Sequence, residues 1–148
     1  MELKTNLVSS VVFSKRNGEI MMLMLKRIDD NYWCNVAGKI ELGESATAAV
    51  IREIAEETQL KVDELYNADY LQQFYHAQTD QIFMAIGFVA FCAGEQPVII
   101  NHEHTEYRWC SLEEALMLAP FPNQHQFYKH VWEHFIDAQP SSWLRVSE

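Results

Sequence analysis

The order of predicted elements places this chain in the α+β class, as a mixed β-sheet layered between α-helices (α/β/α). Strand-like segments come first, one helix is inserted between them, and an amphipathic helix follows near the end. A sheet and helices that each carry an apolar face bury those faces against one another. With 148 residues and 49% hydrophobic content, we expect a single domain, residues 1–148, with a sizeable core.

The first two strands are predicted from β-rich runs on either side of a turn. The first run covers 7–14, and the Asn17-Gly18 pair behind it is a strong hairpin signal. The return strand is expected over 19–26, rich in Met and buried on both faces. Short strand segments are expected on either side of Gly38.

The second half of the chain is predicted to complete the sheet. A tight turn at 78–80 joins two of its strands into a hairpin. The expected strands are 60–65, 69–77, 81–92 and 106–110.

Two helices are predicted after the last strand. Ser111 and Glu114 form a capping box that opens a short helix. Pro120 and Pro122 are expected to break it, and Asn123 to cap a final amphipathic helix. The apolar stripe of that helix comprises Phe127, Val131, Trp132, Phe135 and Ile136.

An acidic helix is predicted over 46–58, with Ser45 as its N-cap. Three glutamates project from one face at i, i+3 and i+4, namely Glu53, Glu56 and Glu57. They repel one another, and the single cation of Arg52, one turn before Glu56, cannot neutralise all three. A hard divalent cation can, because Mg²⁺ and Mn²⁺ take oxygen ligands and are commonly shared between carboxylates and substrate phosphates.

The spacing around this helix resembles the Nudix box, Gly-x5-Glu-x7-Arg-Glu-apolar-x-Glu-Glu-x-Gly-apolar. Here Gly38, Glu44 and Arg52 stand at those intervals, and the segment continues Arg-Glu-Ile-Ala-Glu-Glu-Thr-Gln-Leu to residue 60. One position departs from the family, since Gln59 stands where it has glycine. Glycine there supplies the left-handed residue that ends a helix, and a Gln in that conformation costs on the order of 1 kcal/mol. Either the helix ends in a different turn or it tolerates the strain.

The resemblance implies the Nudix fold and hydrolysis of a diphosphate bond. It also implies Mg²⁺ as cofactor, with Mn²⁺ as a substitute, and in-line attack of a metal-activated water on phosphorus. Arg52 would orient a neighbouring glutamate, and the Gly38 ligand would be its carbonyl oxygen. The positions that carry over to the metal site are Gly38, Glu53, Glu56 and Glu57 as ligands, with Glu44 near the metal through water.

The general base is not fixed by this motif. Our candidate is Glu103, because the family often places a further metal ligand or base several residues before an aromatic strand, here 106–110. Glu106 competes as the residue in that role.

Substrate contacts are expected from residues before and within the motif. Arg27 ends a strand, where its guanidinium can hold an outer phosphate by a bidentate bond or remain a surface charge. Tyr32 and Trp33 offer aromatic faces for a base or pterin ring, although a core position suits Trp33 equally well. Lys39 adds a phosphate contact where many members have a second glycine.

The residues around the motif resemble those of bacterial dihydroneopterin triphosphate pyrophosphatases, which also hydrolyse dATP and other nucleoside triphosphates. This likeness implies a nucleoside or pterin triphosphate cleaved to a monophosphate and pyrophosphate. Nucleotide sugars, ADP-ribose, dinucleoside polyphosphates and RNA 5′ ends remain open as substrates. The residues that carry the likeness outside the motif are Arg27, Asp29, Asp30, Tyr32, Trp33, Glu103, His104, Tyr107, Arg108 and Trp109.

Composition excludes several classes of partner. The net charge of −10 argues against binding a nucleic acid polymer but not against a small phosphorylated substrate held through metal ions. The longest apolar run, 82–92, is too short to cross a bilayer, and residues 1–10 do not resemble a signal peptide. Three dispersed cysteines indicate free thiols in a reducing cytoplasm. Unpaired strand edges allow either a monomer or a homodimer.

Three other interpretations remain from the sequence. A regulatory module that binds nucleotides without catalysis would be expected to lose the motif carboxylates, which are all present here. An isomerase of isoprenoid diphosphates would need a cysteine and a glutamate facing the substrate, and Cys34 keeps that interpretation open. Zinc binding by His102 and His104, or by His130 and His134, lacks converging ligands, so we expect surface or internally bonded histidines.

Overall fold

The computed structural model describes residues 1–146. Within them, seven strands form one mixed sheet with helices on both faces, which confirms the α+β class and the layered order. The strands are β1 Glu2–Arg16, β2 Glu19–Arg27, β3 Trp33–Cys34, β4 Val36–Lys39, β5 Glu64–His76, β6 Gln81–Cys92 and β7 His104–Cys110. The helices are α1 Ala46–Thr58, α2 Leu112–Leu118 and α3 Pro122–Phe135, followed by a 3₁₀ turn at Ser142–Leu144.

Strand β1 organises the sheet because it pairs along both of its edges. One edge runs parallel to β6 for most of its length. The other edge pairs antiparallel first with β4, at residues 7–10, and then with β2, at residues 13–16. Strand β5 completes the sheet beside β6, while β3 and β7 pair with β2.

The core consists of two apolar layers, one on each face of the sheet. Alternate residues of β1 divide between them, with Val11 and Phe13 on the side of α2 and α3, and Val8 and Val12 on the side of α1. Residues 22–25 of β2 are fully buried, as predicted for a strand covered on both faces. The buried members of the predicted α3 stripe are Phe127, Val131, Trp132 and Phe135.

Local signals in the sequence are confirmed where they concern caps and the first hairpin. Asn17 and Gly18 both have positive φ, 51° and 82°, as a two-residue turn between twisted strands requires. The Ser45 hydroxyl accepts from the Ala48 N–H at 3.1 Å and caps α1. The predicted capping box also opens α2.

Two predicted boundaries are wrong. Residues 60–63 are not a strand; β5 is instead one long strand whose pairing shifts near Asp69, which has φ 53°. Pro122 begins α3 rather than breaking a helix, because a proline at the first helical position lacks an N–H that would be unpaired there anyway. Asn123 therefore lies inside the first turn, and its amide donates to the Gln73 carbonyl at 2.7 Å.

None of the helices formed by residues 1–146 is long and apolar enough to cross a membrane.

Helix α1 ends in a left-handed residue even though that residue, Gln59, is not glycine. Gln59 adopts the left-handed conformation, with φ 59° and ψ 18°, and its N–H donates to the Ala55 carbonyl at 2.9 Å. The chain therefore retains the turn that glycine provides in the Nudix box.

We expect Gln59→Gly to raise the free energy of unfolding by about 1 kcal/mol, because glycine adopts this conformation without a Cβ clash. Urea denaturation of both proteins measures the difference. Gln59→Ala keeps the Cβ and should give no such gain. An equal gain from both substitutions would contradict the assignment of strain to Gln59.

Candidate active site

Helix α1 carries its glutamates at the edge of the core. Ala49, Val50 and Ile54 bury its apolar face against the sheet. The glutamate side chains lie at graded depth, with 55% of Glu56 exposed, 13% of Glu53 and 2% of Glu57. A carboxylate as deeply buried as that of Glu57 requires a compensating partner.

Arg52 connects the loop before α1 to two of these glutamates. It forms two hydrogen bonds of 2.8 Å to the Glu44 carboxylate and donates to the Lys39 carbonyl at 2.9 Å. It also donates to Glu53 at 2.8 Å and to Glu56 at 3.2 Å, which confirms the expected pairing one turn along the helix. Arg52 thereby fixes the directions of Glu53 and Glu56.

Glu44 lies beside Arg52 with both of its oxygens engaged. One oxygen also accepts from the Glu41 N–H at 3.1 Å. The bonds from Arg52 lower the pKa of Glu44 to about 2, so it is a carboxylate at neutral pH. Its role at the metal site stays a prediction, and direct ligation would need one of these bonds to be exchanged.

Glu57 is the glutamate of this group whose buried carboxyl has the fewest polar partners. Its Oε1 lies 3.6 Å from Nε2 of the buried His104, while its Oε2 has no hydrogen-bond partner among the residues described. Burial, followed by the neighbouring Glu53 carboxylate, raises the pKa of Glu57 well above its ordinary value. The interior here lacks positive charge for the number of carboxylates it holds.

Gly38 closes the other side of this group. A Cβ at Gly38 would overlap the Glu53 side chain, which would then have to move away from β4. Glycine at this position therefore lets Glu53 keep its place beside Arg52.

The donors present suit the divalent cation that the resemblance implies. They are hard oxygens, one of them buried and unpaired, gathered where negative charge is in excess. In the part of the chain that the structure covers, no three Asp, Glu, His or Cys side chains already converge as a metal cluster. Glu53 and Glu56 are instead each bonded to Arg52.

Glu103 lies at the cleft, whereas Glu106 does not contribute to it. The Glu103 carbonyl accepts from the Ile28 N–H at 2.9 Å, and its N–H donates to the Asn101 side chain at 3.2 Å. Its side chain lines two cavities and contributes to the raised pKa of Glu57. Glu106 pairs instead with Lys26 at 3.3 Å. The geometry therefore favours Glu103 as the candidate base.

Three adjoining cavities, of about 330, 490 and 590 Å³, form one cleft because Arg27 lines all of them. Glu57 and Glu103 line the first. Glu53 and Glu103 line the second, together with Gly38 and Lys39. The third is aromatic, and its rings belong to Tyr32, Phe74, Tyr75, Phe83 and Phe121.

The substrate residues predicted from the loop before the motif separate into two environments. Tyr32 faces the aromatic cavity, with the Arg27 guanidinium carbon 4.9 Å from its ring centre. Arg27 also pairs with Asp30 at 3.3 Å. Trp33 packs against the core under α3, with Arg108 5.3 Å above its ring. Trp33 thus takes the core position that the sequence left open.

Sequence reasoning missed several residues of the cleft. Phe74 stacks on Phe83 with ring centres 5.5 Å apart, and Phe121 meets Tyr32 edge-on at 5.3 Å. His104 was expected to be a surface or internally bonded histidine, and it contacts Glu57. The alternation of side chains along β5 places Phe74 on one face, but it does not say which face borders the cleft.

Cys34 lines the first cavity beside Glu57. Burial raises the pKa of its thiol to about 12, so the thiolate is scarcely populated near neutral pH. Two of the other histidines, His125 and His130, are bonded to the Ala119 and Ala68 carbonyls, each at 2.7 Å.

We expect Glu57→Gln to raise the free energy of unfolding by roughly 1–3 kcal/mol at pH 8 in EDTA, because an amide can donate to Glu53 and carries no charge. Unfolded Glu57 ionises near pH 4.3, about its ordinary pKa, and the folded protein holds the proton to higher pH. The contribution of Glu57 to the free energy of unfolding therefore falls as pH rises above about 4.3, and the Gln variant lacks that fall.

Urea denaturation at pH 5 and pH 8 measures this effect, and the gain should be larger at pH 8. Glu56→Gln is the matched control, because Glu56 is largely exposed and its bond to Arg52 contributes only about 0–1 kcal/mol. Stabilisation by both substitutions, or by neither, would contradict the assignment of the buried charge to Glu57.

Comparisons with known proteins agree with this geometry. The family model of the NUDIX domain matches residues 4–131. An octanoyltransferase from Myxococcus xanthus is 30% identical over 126 residues, which cover 82% of this chain and 35% of that protein. The asymmetrical bis(5′-nucleosyl)-tetraphosphatase of Caenorhabditis elegans is 26% identical over 113 residues, covering 75% of this chain and 82% of the relative.

The chain thus spans about a third of the first relative and most of the second. Among solved structures, the dihydroneopterin triphosphate pyrophosphohydrolase of E. coli superposes with a TM-score of 0.72 and 23% identity, covering 93% of this chain and 100% of the other. Its likeness shows the same fold. The matched domain includes the whole Gly38–Leu60 motif, and the chain therefore belongs to the Nudix family of hydrolases.

Proposed function

We propose that this protein hydrolyses a diphosphate bond of a nucleoside triphosphate or dihydroneopterin triphosphate, releasing a monophosphate and pyrophosphate. The observation that carries the proposal is the buried, partly unpaired carboxylate of Glu57 at one end of a cleft whose other end is aromatic. A related tetraphosphatase and a pyrophosphohydrolase of the same fold support diphosphate chemistry.

The divalent cation, Mg²⁺ or Mn²⁺, would be held by Glu53, Glu56 and Glu57 with the Gly38 carbonyl. When bound, it lowers the pKa of water and neutralises phosphate charge. Arg52 keeps Glu53 and Glu56 directed toward the cleft edge through its hydrogen bonds.

The remaining polar residues of the cleft have separate roles in this mechanism. Arg27 and Lys39 bind phosphate oxygens, since both line the cavity next to Glu53. Glu103 accepts the proton of the water that attacks phosphorus in line, and the pyrophosphate leaves on the opposite side. The hydrogen bond from Ile28 to the Glu103 carbonyl keeps this base next to Arg27.

The aromatic cavity would hold the heterocyclic ring of the substrate. Phe74 and Phe83 form one wall, with their rings 20° from parallel, and Tyr32 and Phe121 form the other. Stacking of a base on an aromatic side chain contributes about 1–3 kcal/mol and suits any planar ring. Arg27 lines both this cavity and the carboxylate-lined ones, so one ligand spanning them passes Arg27 between its ring and its reacting phosphate.

Other substrates of the same bond type, such as nucleotide sugars, ADP-ribose and dinucleoside polyphosphates, are distinguished by experiment. We expect hydrolysis within a panel of these compounds, all common NTPs and dNTPs, and dihydroneopterin triphosphate. Activity should require Mg²⁺ or Mn²⁺ and stop with EDTA. Released pyrophosphate and phosphate are measured separately, because pyrophosphate identifies cleavage between the α and β phosphorus atoms.

Two variants test the residues. Glu57→Gln should abolish metal-dependent turnover, and Glu103→Gln should lower kcat by about 100-fold or more, the contribution of a general base. Unchanged turnover in Glu103→Gln beside an inactive Glu57→Gln would remove Glu103 from the mechanism. A silent panel, with nucleotide binding still seen in a thermal-shift assay, would favour a regulatory module that binds without catalysis.

The aromatic cavity gives a second prediction. Phe74→Ala should raise KM for the best substrate by about 5- to 100-fold with little change in kcat, because it removes one stacking wall but no reacting group. Tyr107→Ala is the matched control, since Tyr107 is exposed to a similar degree, 45% against 40%, on β7. An equal rise in KM for both variants would contradict the location of the ring.

A further inference from the structure

The edge of β1 opposite β6 changes partner at one point. Residues 7–10 pair with β4 and residues 13–16 pair with β2, so Val11 and Val12 lie between the two partners. The link from β3 to β4 crosses from the edge of β2 to the edge of β1 at this place. The residue that makes the crossing is Asn35.

Asn35 is buried and its amide group bonds to both sides of the crossing. Its nitrogen donates to the Ser9 hydroxyl at 2.8 Å and to the Ser10 carbonyl at 3.0 Å, both on β1. Its oxygen accepts from the hydroxyl of Tyr128, on α3, at 2.8 Å. The side chain therefore joins β1 to α3 through the start of β4.

The same face of α3 holds the chain before the crossing. Gln124, one turn before Tyr128, donates to the Trp33 carbonyl at 2.9 Å. Both side chains are buried, so these bonds are shielded from water. The link between β3 and β4 is thus held by α3 at residues 33 and 35, on either side of the cavity residue Cys34.

These polar bonds are separate from the packing that attaches α3 to the sheet. That attachment is provided by the apolar residues of α3, which are Phe127, Val131, Trp132 and Phe135. The Tyr128 hydroxyl contributes a directional hydrogen bond rather than buried apolar area, because a phenylalanine ring would fill nearly the same volume.

The position of β4 matters to the acidic group, because Gly38, three residues after Asn35, lies against Glu53. Asn35 and Ala37 line the first cavity, and Gly38 lies so close to Glu53 that no Cβ fits between them. Interiors this closely packed transmit small displacements to their neighbours. A change at Asn35 therefore moves the Gly38 backbone relative to the carboxylates of α1.

We propose that Tyr128, Asn35 and Ser9 form a hydrogen-bonded chain that positions the β4 backbone against Glu53 and so sets the affinity of the cation and phosphate site. The chain acts through Gly38, and none of its members is assigned contact with the reacting atoms. The proposal rests on the proposed function, because the cation is the ligand whose affinity it controls.

Binding of Mn²⁺ to the protein alone tests this chain, measured by the electron paramagnetic resonance signal of free Mn²⁺. Tyr128→Phe should lower the Mn²⁺ affinity about tenfold, the lower end for residues that orient metal ligands. Tyr66→Phe is the matched control, because Tyr66 is also a buried tyrosine whose hydroxyl donates to a side chain, Glu64 at 3.1 Å, and it lies on β5, which β6 and β1 separate from β4. It should leave Mn²⁺ affinity unchanged.

Adjacent serines provide a second pair in case Tyr128→Phe does not fold. Ser9→Ala removes an acceptor of Asn35, whereas the buried Ser10 hydroxyl has no partner among residues 1–146 and Ser10→Ala breaks no bond. Ser9→Ala should weaken Mn²⁺ binding and Ser10→Ala should not.

The outcomes separate the two proposals. Suppose that the native protein binds Mn²⁺ but each variant binds it as well as its control, Tyr128→Phe like Tyr66→Phe and Ser9→Ala like Ser10→Ala. That result would overturn the positioning chain alone. Native protein that does not bind Mn²⁺ would overturn the proposed function with it. Weaker binding in Tyr128→Phe and Ser9→Ala at unchanged thermal midpoints supports the chain, since general destabilisation would lower the midpoints too.

Discussion

Mutual repulsion among the glutamates of α1 is the constraint to which the surrounding structure responds. Arg52 neutralises part of the charge and holds Glu53 and Glu56, and Glu44 in turn holds Arg52. Glu57 is left buried with an unpaired oxygen. Such an arrangement destabilises the folded chain unless a cation balances it, so binding energy and stability are coupled at this one residue.

The cleft connects the negatively charged carboxylates to the aromatic cavity. Arg27 lies between a strongly negative end and an aromatic end, where it faces Tyr32 and pairs with Asp30. A triphosphate needs positive charge along its length, and a chain of net charge −10 supplies it at few positions. Under the proposed function, affinity for the phosphates would therefore depend on bound cations more than on the protein surface.

Local rules in the sequence predicted what local interactions decide. The caps at Ser45 and Ser111, the Asn17-Gly18 turn and the one-faced glutamates each depend on residues within four positions. The aromatic cavity was not predictable in this way, because Phe74 and Phe121 lie far apart in sequence and meet only through the sheet and α3. The partial burial of Trp33 and the burial of His104 were undecided for the same reason. Pro122 was misjudged because a proline that ends one helix and a proline that starts the next give the same local signal.

The site thus has two parts with different origins. Its carboxylate wall is α1, where the spacing of the sequence alone places the glutamates on one helix face. Its opposite wall, from β4 to the aromatic cavity, is held by contacts from α3, including the bonds of Tyr128 and Gln124 to the link before β4. Because α3 also starts beside Phe121, one helix connects the aromatic cavity to the strand that touches Glu53. Under the proposed function, substitutions in α3 would therefore affect both substrate choice and cation affinity, although α3 carries none of the residues assigned to the reaction.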